Sequence, residues 1–125
     1  MAYIDKFDKN AIFNADTIET FYKQVGCFNY YFEKSILIKN KMDDSYFIST
    51  HFNNGKSLQQ KKATSNIIDD LFSLQNELLK SDNFVTSTST ERFYIAINNK
   101  VYRNIKNHEG THIYADFKKK YITIE

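Results

Sequence analysis

Ile67, Leu71, Leu74 and Leu78 form one row, with Ile68, Phe72 and Leu79 in the row beside it, and this pattern constrains the chain most. Apolar side chains at spacings of three and four fall on one side of an α-helix, which turns once in 3.6 residues. Two adjacent rows make a stripe too wide for a solvated surface. Such a helix must lie on something broad, and a sheet is the natural partner. Ser57 with Gln60 three residues on reads as a capping box, which predicts that the helix opens at Ser57. Lys80 suits the negative end of its dipole.

A second amphipathic helix is predicted over residues 17–34. Ile18, Phe21, Val25, Phe28 and Phe32 recur at alternating spacings of three and four, and Asp16 with Glu19 forms an aspartate version of the capping box. Gly26 weakens its middle by about 1 kcal/mol relative to alanine. Between the two helices, residues 36–41 and 45–52 read as a hairpin. Tyr46, Ile48, Thr50 and Phe52 lie on one face of it, and Phe47, Ser49 and His51 lie on the other. Beyond residue 83 the texture turns to β, with Phe93, Ile95 and Ile97 on one side of a strand at 92–97 and a short terminal strand at 121–124. The fold class expected is α+β: two amphipathic helices packed on an antiparallel sheet with a C-terminal β-meander. At 125 residues the chain supports one core, so a single domain over 1–125 is expected.

One stretch spells a chemical signature. His108-Glu109-Gly110-Thr111-His112 is H-E-x-x-H. On a helix the two His would lie about one turn apart and reach one zinc ion, with the Glu placed to take a proton from metal-bound water. Val101, Ile105, His108, His112 and Ala115 share helical spacing, and Asp116 follows as a candidate third ligand or imidazole partner. HEGTHIYAD resembles the zincin metallopeptidases, in particular the thermolysin-like and neprilysin-like groups. Several of these share H-E-x-T-H and an Asp four residues after the second His. The resemblance covers nine residues and implies His108 and His112 as zinc ligands and Glu109 as general base. Thermolysin-like enzymes draw their third ligand from a Glu on a later helix; here Asp116, Glu125 or His51 would have to serve, and the metzincin positions hold Ala115 and Lys118.

The same residues also read as a hairpin. Val101, Tyr102 and Ile105 would lie on one strand, Ile113, Ala115 and Phe117 would alternate along the other, and Gly110 would supply a left-handed turn residue. The abundance of Val, Ile, Thr, Tyr and Asn favours strand over helix. On this reading the chain has no catalytic residue, metal or cofactor, and zinc belongs only to the alternative.

Composition narrows the rest. Cys27 is the single cysteine, so neither an intramolecular disulfide nor a cysteine zinc cage is possible. No apolar run approaches the roughly 20 residues of a membrane span, and the N-terminus has no signal-peptide core, so a cytoplasmic protein is expected. Lys outnumbers Arg 15 to 2, and Phe, Tyr, Ile, Asn and Lys together make up about half the chain. These residues have A/T-rich codons, which points to an AT-rich genome such as a low-GC bacterium or its phages and plasmids. A net charge of +2 is modest for a dedicated nucleic-acid binder. Nine tyrosines exceed what so small a core can bury, and tyrosine favours interfaces. The expected function is therefore a non-enzymatic binding or inhibitory protein, phage- or mobile-element-borne, acting on a host or phage protein through Tyr30, Tyr31, Tyr102 and Tyr114. A weaker alternative is nucleic-acid binding through Arg103, Lys118, Lys119 and Lys120.

Overall fold

The computed structural model describes residues 2–25, 30–80, 90–107 and 112–122, and most of them lie in strands of one seven-stranded sheet. In chain order the elements are β1 (Ala2–Ile4), α1 (Lys9–Phe13), β2 (Thr17–Val25), β3 (Tyr30–Asn40), β4 (Ser45–Phe52), β5 (Ser57–Ala63), α2 (Asn66–Lys80), β6 (Thr90–Ile97), β7 (Lys100–Asn107) and α3 (His112–Tyr121). Across the sheet the order is β1-β7-β6-β2-β3-β4-β5. Every neighbouring pair is antiparallel except β1 and β7, which run parallel.

This architecture corrects the fold class expected from sequence. Residues 17–34 are not a helix: Thr17–Val25 and Tyr30–Asn40 are adjacent antiparallel strands, with Ile18 opposite Leu37 and Val25 opposite Tyr30. Gly26, Cys27 and Phe28 lie outside the described residues. The physical reason is composition. Thr17, Ile18, Thr20, Tyr22, Tyr30, Tyr31 and Phe32 are β-branched or aromatic, and such side chains lose rotamer freedom on a helix but pack well on a pleated surface. Ser57 likewise opens β5, not the long helix, which begins at Asn66. The meander stops after β7. Tyr121 ends a helix where a terminal strand was expected, and residues 123–125 lie outside the described residues.

The long amphipathic stripe behaves as predicted. Ile67, Ile68, Leu71, Leu74 and Leu78 are buried, and Phe72 and Leu79 pack against the same cluster. Each such residue, fully buried, contributes about 1.5–3 kcal/mol. α2 lies between α1 and α3 and touches both, so the three helices form one layer. Asp8 caps α1, accepting a 2.7 Å hydrogen bond from the Ala11 N–H, and the short helix drives Ile12 fully into the core.

The sheet meets this layer with alternate residues. Ile18 on β2, Leu37 on β3, Ile48 on β4, Phe93, Ile95 and Ile97 on β6, and Tyr102 on β7 all join the core cluster. Thr20, Ser35 and Thr50 are register partners in a buried polar row, and the Ser35 and Thr50 hydroxyls bond to each other at 2.8 Å. Gln75, fully buried on α2, closes the layer by bonding both backbone groups of Phe7: it accepts from the N–H and donates to the carbonyl, each at 2.8 Å.

Candidate binding face of the sheet

Because strand side chains alternate, a sheet with its helices on one side turns every second residue to the other. Among the described residues no helix packs on that second face. Phe21 sits at its centre on β2, directly opposite Tyr94 on β6, while Phe32 on β3 stands diagonally across. The Phe21 ring lies 5.9 Å from Phe32, and its edge-to-face contact with Tyr94 spans 6.3 Å. All three rings are half-buried. At the β1 side Tyr3 is 64% exposed and stands next to Val101 in the parallel register.

Cations are interleaved with these rings. Lys23 Nζ lies 5.9 Å from the Phe32 ring centre and 5.8 Å from that of Tyr94, so one ammonium bridges two rings. Lys34 Nζ is 5.3 Å from Phe21, and the Arg103 guanidinium is 4.8 Å from Tyr3. Arg92 pairs in register with Lys23, and its buried Nε has no hydrogen-bond partner. The carboxylate in this group is Glu19, 3.6 Å from Lys34 Nζ. Tyr3, Glu19, Phe21, Lys23, Tyr94, Ala96 and Val101 line a shallow hollow of about 250 Å³. The face therefore offers ring surface with positive charge around it, on a ladder paired on both sides.

On the helical side, Glu33 is 1% exposed beneath α3. Tyr114 Oη donates to its Oε1, and Lys118 Nζ lies 2.9 Å from Oε2 as an ion pair without a directed hydrogen bond. Tyr22 stacks on Tyr114 at 4.5 Å, and Phe93 closes the other side at 5.3 Å. Burial, and then the Glu33 charge, hold the Tyr114 phenol well above its ordinary range; the same two causes raise Tyr31. These groups are consumed by one another and dock the helix.

The residues singled out from sequence are scattered by this fold. The helical seam through H-E-x-x-H does not form, since Val101 and Ile105 lie on strand β7 and Ala115 on α3. The expected second strand of the hairpin does not form either, because residues 112–121 are helical. His108, Glu109 and Gly110 lie outside the described residues; His112 is the first residue of α3. Asp116 is exposed on α3, in a groove with Asp70 and Glu77, and His51 is exposed on β4. Among the described residues no three His, Cys, Asp or Glu side chains cluster as metal ligands would.

Of the four tyrosines assigned to an interaction surface, Tyr30 is 56% exposed and Tyr31 half-buried. Tyr102 and Tyr114 are core residues, at 1% and 5% exposure, and cannot serve. The basic set also divides. Arg103 lies on the open face, whereas Lys118 is paired with Glu33, Lys120 with Asp70, and Lys119 is exposed on α3 in the opposite layer. Sequence reasoning missed Phe21, Phe32, Tyr94, Lys23 and Lys34 as a group. Alternation of rings and lysines along TFYKQ would have pointed to them once the segment was read as a strand. No helix among the described residues is long and apolar enough to cross a membrane. The sequence matches no protein-family model and no curated protein.

Proposed function

We propose that this chain is a non-catalytic binding protein that engages an anionic macromolecule through the open face of its sheet. The observation that carries this reading is the set of cations around the central rings: Lys23, Lys34, Arg92 and Arg103, with Glu19 the carboxylate among them. Such a local excess attracts an acidic surface even where the net charge of the chain is small, because charges beyond about 10 Å are screened at 0.1 M salt. The rings contribute rigid apolar area with little side-chain entropy to lose on contact. AT-rich residue usage suits a phage or mobile-element protein that acts by occupying a host macromolecule.

Retention on immobilised heparin, a generic polyanion, tests the reading. The chain is expected to bind at low salt, and Lys23→Glu with Arg103→Glu to elute at clearly lower salt. Lys119→Glu with Lys9→Glu, both exposed on the helical layer, changes the net charge by the same amount and is the Lys119 control. Equal elution of the open-face variant and the Lys119 control, with melting curves showing both folded, would overturn it.

A further inference from the structure

Resting on the open-face reading above, we infer that the anionic macromolecule is single-stranded nucleic acid, whose bases stack on Phe21, Phe32 and Tyr94 while its phosphates take up Lys23, Lys34 and Arg103. The Asp and Glu side chains that make a polypeptide acidic would satisfy the cations but bring no ring of their own to the three aromatics, whereas every nucleotide joins a phosphate to a planar base. Those rings come from three adjacent strands, with 5.9 Å and 6.3 Å between centres, and stand half-exposed at the middle of the sheet. Every base has a π-face, so aromatic side chains on an open sheet suit single strands, in which bases are unstacked and free to turn outward. A duplex keeps its base faces stacked inside and presents phosphate, sugar and base edges, none of which stacks on a ring.

The cations now occupy the ring faces, and the energies decide whether a base can displace them. An exposed cation–π contact corresponds to about two- to fivefold in equilibrium terms. Stacking a base on an aromatic side chain corresponds to about 5- to 150-fold. The base therefore wins the ring. The displaced ammonium stays tethered within a few ångströms, where the phosphate of the stacked nucleotide lies, so the cation–π contact is exchanged for an ion pair. Lys23 bridges two rings in the free protein and would serve the linkage between two stacked bases. The Arg103–Tyr3 pair extends the platform toward β1.

The test measures fluorescence anisotropy with a labelled oligo-dT and an oligo-U 12-mer, the matching duplex, and poly-glutamate as competitor. Single strands are expected to bind more tightly than duplex. The slope of log K against log salt should be about −2 to −3, as three or four phosphate contacts on a single strand imply. Phe21→Leu and Tyr94→Leu, chosen to keep apolar bulk, should each weaken single-strand binding about fivefold or more without changing heparin elution. Equal single-strand and duplex affinity, or ring variants that bind oligonucleotide as wild type does, would overturn the inference. So would poly-glutamate competing as well as oligo-dT, or a dimer that occupies the face and is broken by Phe21→Leu. In those cases the open-face reading stands if heparin retention still depends on Lys23 and Arg103; loss of that dependence as well brings down both.

Discussion

Tyr114 Oη donates a 3.2 Å hydrogen bond to Glu33 Oε1 across 81 residues of sequence, in a place where neither side chain meets solvent. A lone carboxylate there would be costly; Tyr114 on one oxygen and Lys118 on the other make it tolerable. The pair also fixes α3, since Tyr114 and Lys118 both belong to that helix.

Removing Glu33 takes the acceptor from the buried Tyr114 hydroxyl, and removing that hydroxyl takes a donor from the buried carboxylate. Glu33→Ala is expected to lower stability by about 3 kcal/mol or more, and Tyr114→Phe by about 1–3 kcal/mol. Glu33→Gln, which keeps an acceptor for Tyr114, should fall between wild type and alanine. Urea unfolding followed by circular dichroism measures all three. Equal midpoints for Glu33→Ala and wild type would show that the carboxylate does not hold the helix.

Gln75 acts as a strand neighbour for a stretch of chain that has none. Its amide bonds both the N–H and the C=O of Phe7, 68 residues away, and so satisfies two buried backbone groups at once. Gln75→Leu preserves volume but supplies neither partner, and should cost about 2–6 kcal/mol at roughly 1–3 kcal/mol per orphaned group. Hydrogen exchange gives an independent reading: the Phe7 amide should lose its protection while amides of β3 and β4 keep theirs. Unchanged protection at Phe7 would count against the latch.

Tyrosines set an alkaline limit. Burial is the first cause in each of Tyr31, Tyr46, Tyr114 and Tyr121, and all four phenols are raised, Tyr121 to about 12. The unfolded chain ionises its tyrosines near 10, so above that pH it holds fewer protons than the folded chain. Stability is therefore fully present below pH 10 and is lost as pH rises from about 10 toward 12. The acid side has the opposite sign. Asp43, hydrogen-bonded by Lys62 and Ser45, is lowered to about 2, and Asp70 is lowered by Lys120 and Tyr121, so stability falls as pH drops below about 4. Absorbance at 295 nm should show only part of the nine tyrosines ionising near pH 10, the rest appearing together with loss of the circular dichroism signal. A single transition of all nine in a chain that stays folded would contradict these environments.

Elements with one apolar face were legible in the sequence, and elements with two were not. The α2 stripe from Ile67 to Leu79 and the β6 alternation of Phe93, Ile95 and Ile97 each have one buried side, so their periods stand out. β2 and β3 carry apolar residues on both faces: Ile18 and Tyr22 toward the helices, Phe21 away from them. Mixing the two sets produced an accidental spacing of three and four. β5 failed for the opposite reason, since among the described side chains of SLQQKKA the apolar ones against the core are just Leu58 and Ala63, and a chance Ser-x-x-Gln looked like a cap. Among the described side chains of α3 the buried ones are Tyr114, Phe117 and Tyr121, at helical spacings of three and four, and not the alternate positions 113, 115 and 117 that suggested a strand. Lys118, Lys119 and Lys120 in its last turn fit the helix dipole and could have signalled the helix. The open face escaped notice for the same reason as β2. It becomes visible only when register places Phe21, Tyr94 and Phe32 side by side.

The connection from β6 to β7 offers a graded test of backbone strain. Ile97 pairs with Lys100, leaving Asn98 and Asn99 as a two-residue loop with φ of 49° and 68°. Positive φ at both central residues marks a type I′ turn, whose twist matches that of the flanking strands and whose favoured sequence is Asn-Gly. Asn tolerates this region better than other side chains, and a β-branched residue tolerates it least. Asn99→Gly is therefore expected to match or slightly raise stability. Asn99→Ala should lower it by up to about 1 kcal/mol, and Asn99→Val by about 1–2 kcal/mol, or roughly 3–8 °C in melting temperature. The effect reaches the open face, because the Asn99 carbonyl accepts a 3.0 Å bond from the Ala2 N–H and so anchors β1, which carries Tyr3 beneath Arg103. Scanning calorimetry of the three variants gives the order directly. If Asn99→Val melts with wild type, the left-handed turn is not what joins these strands.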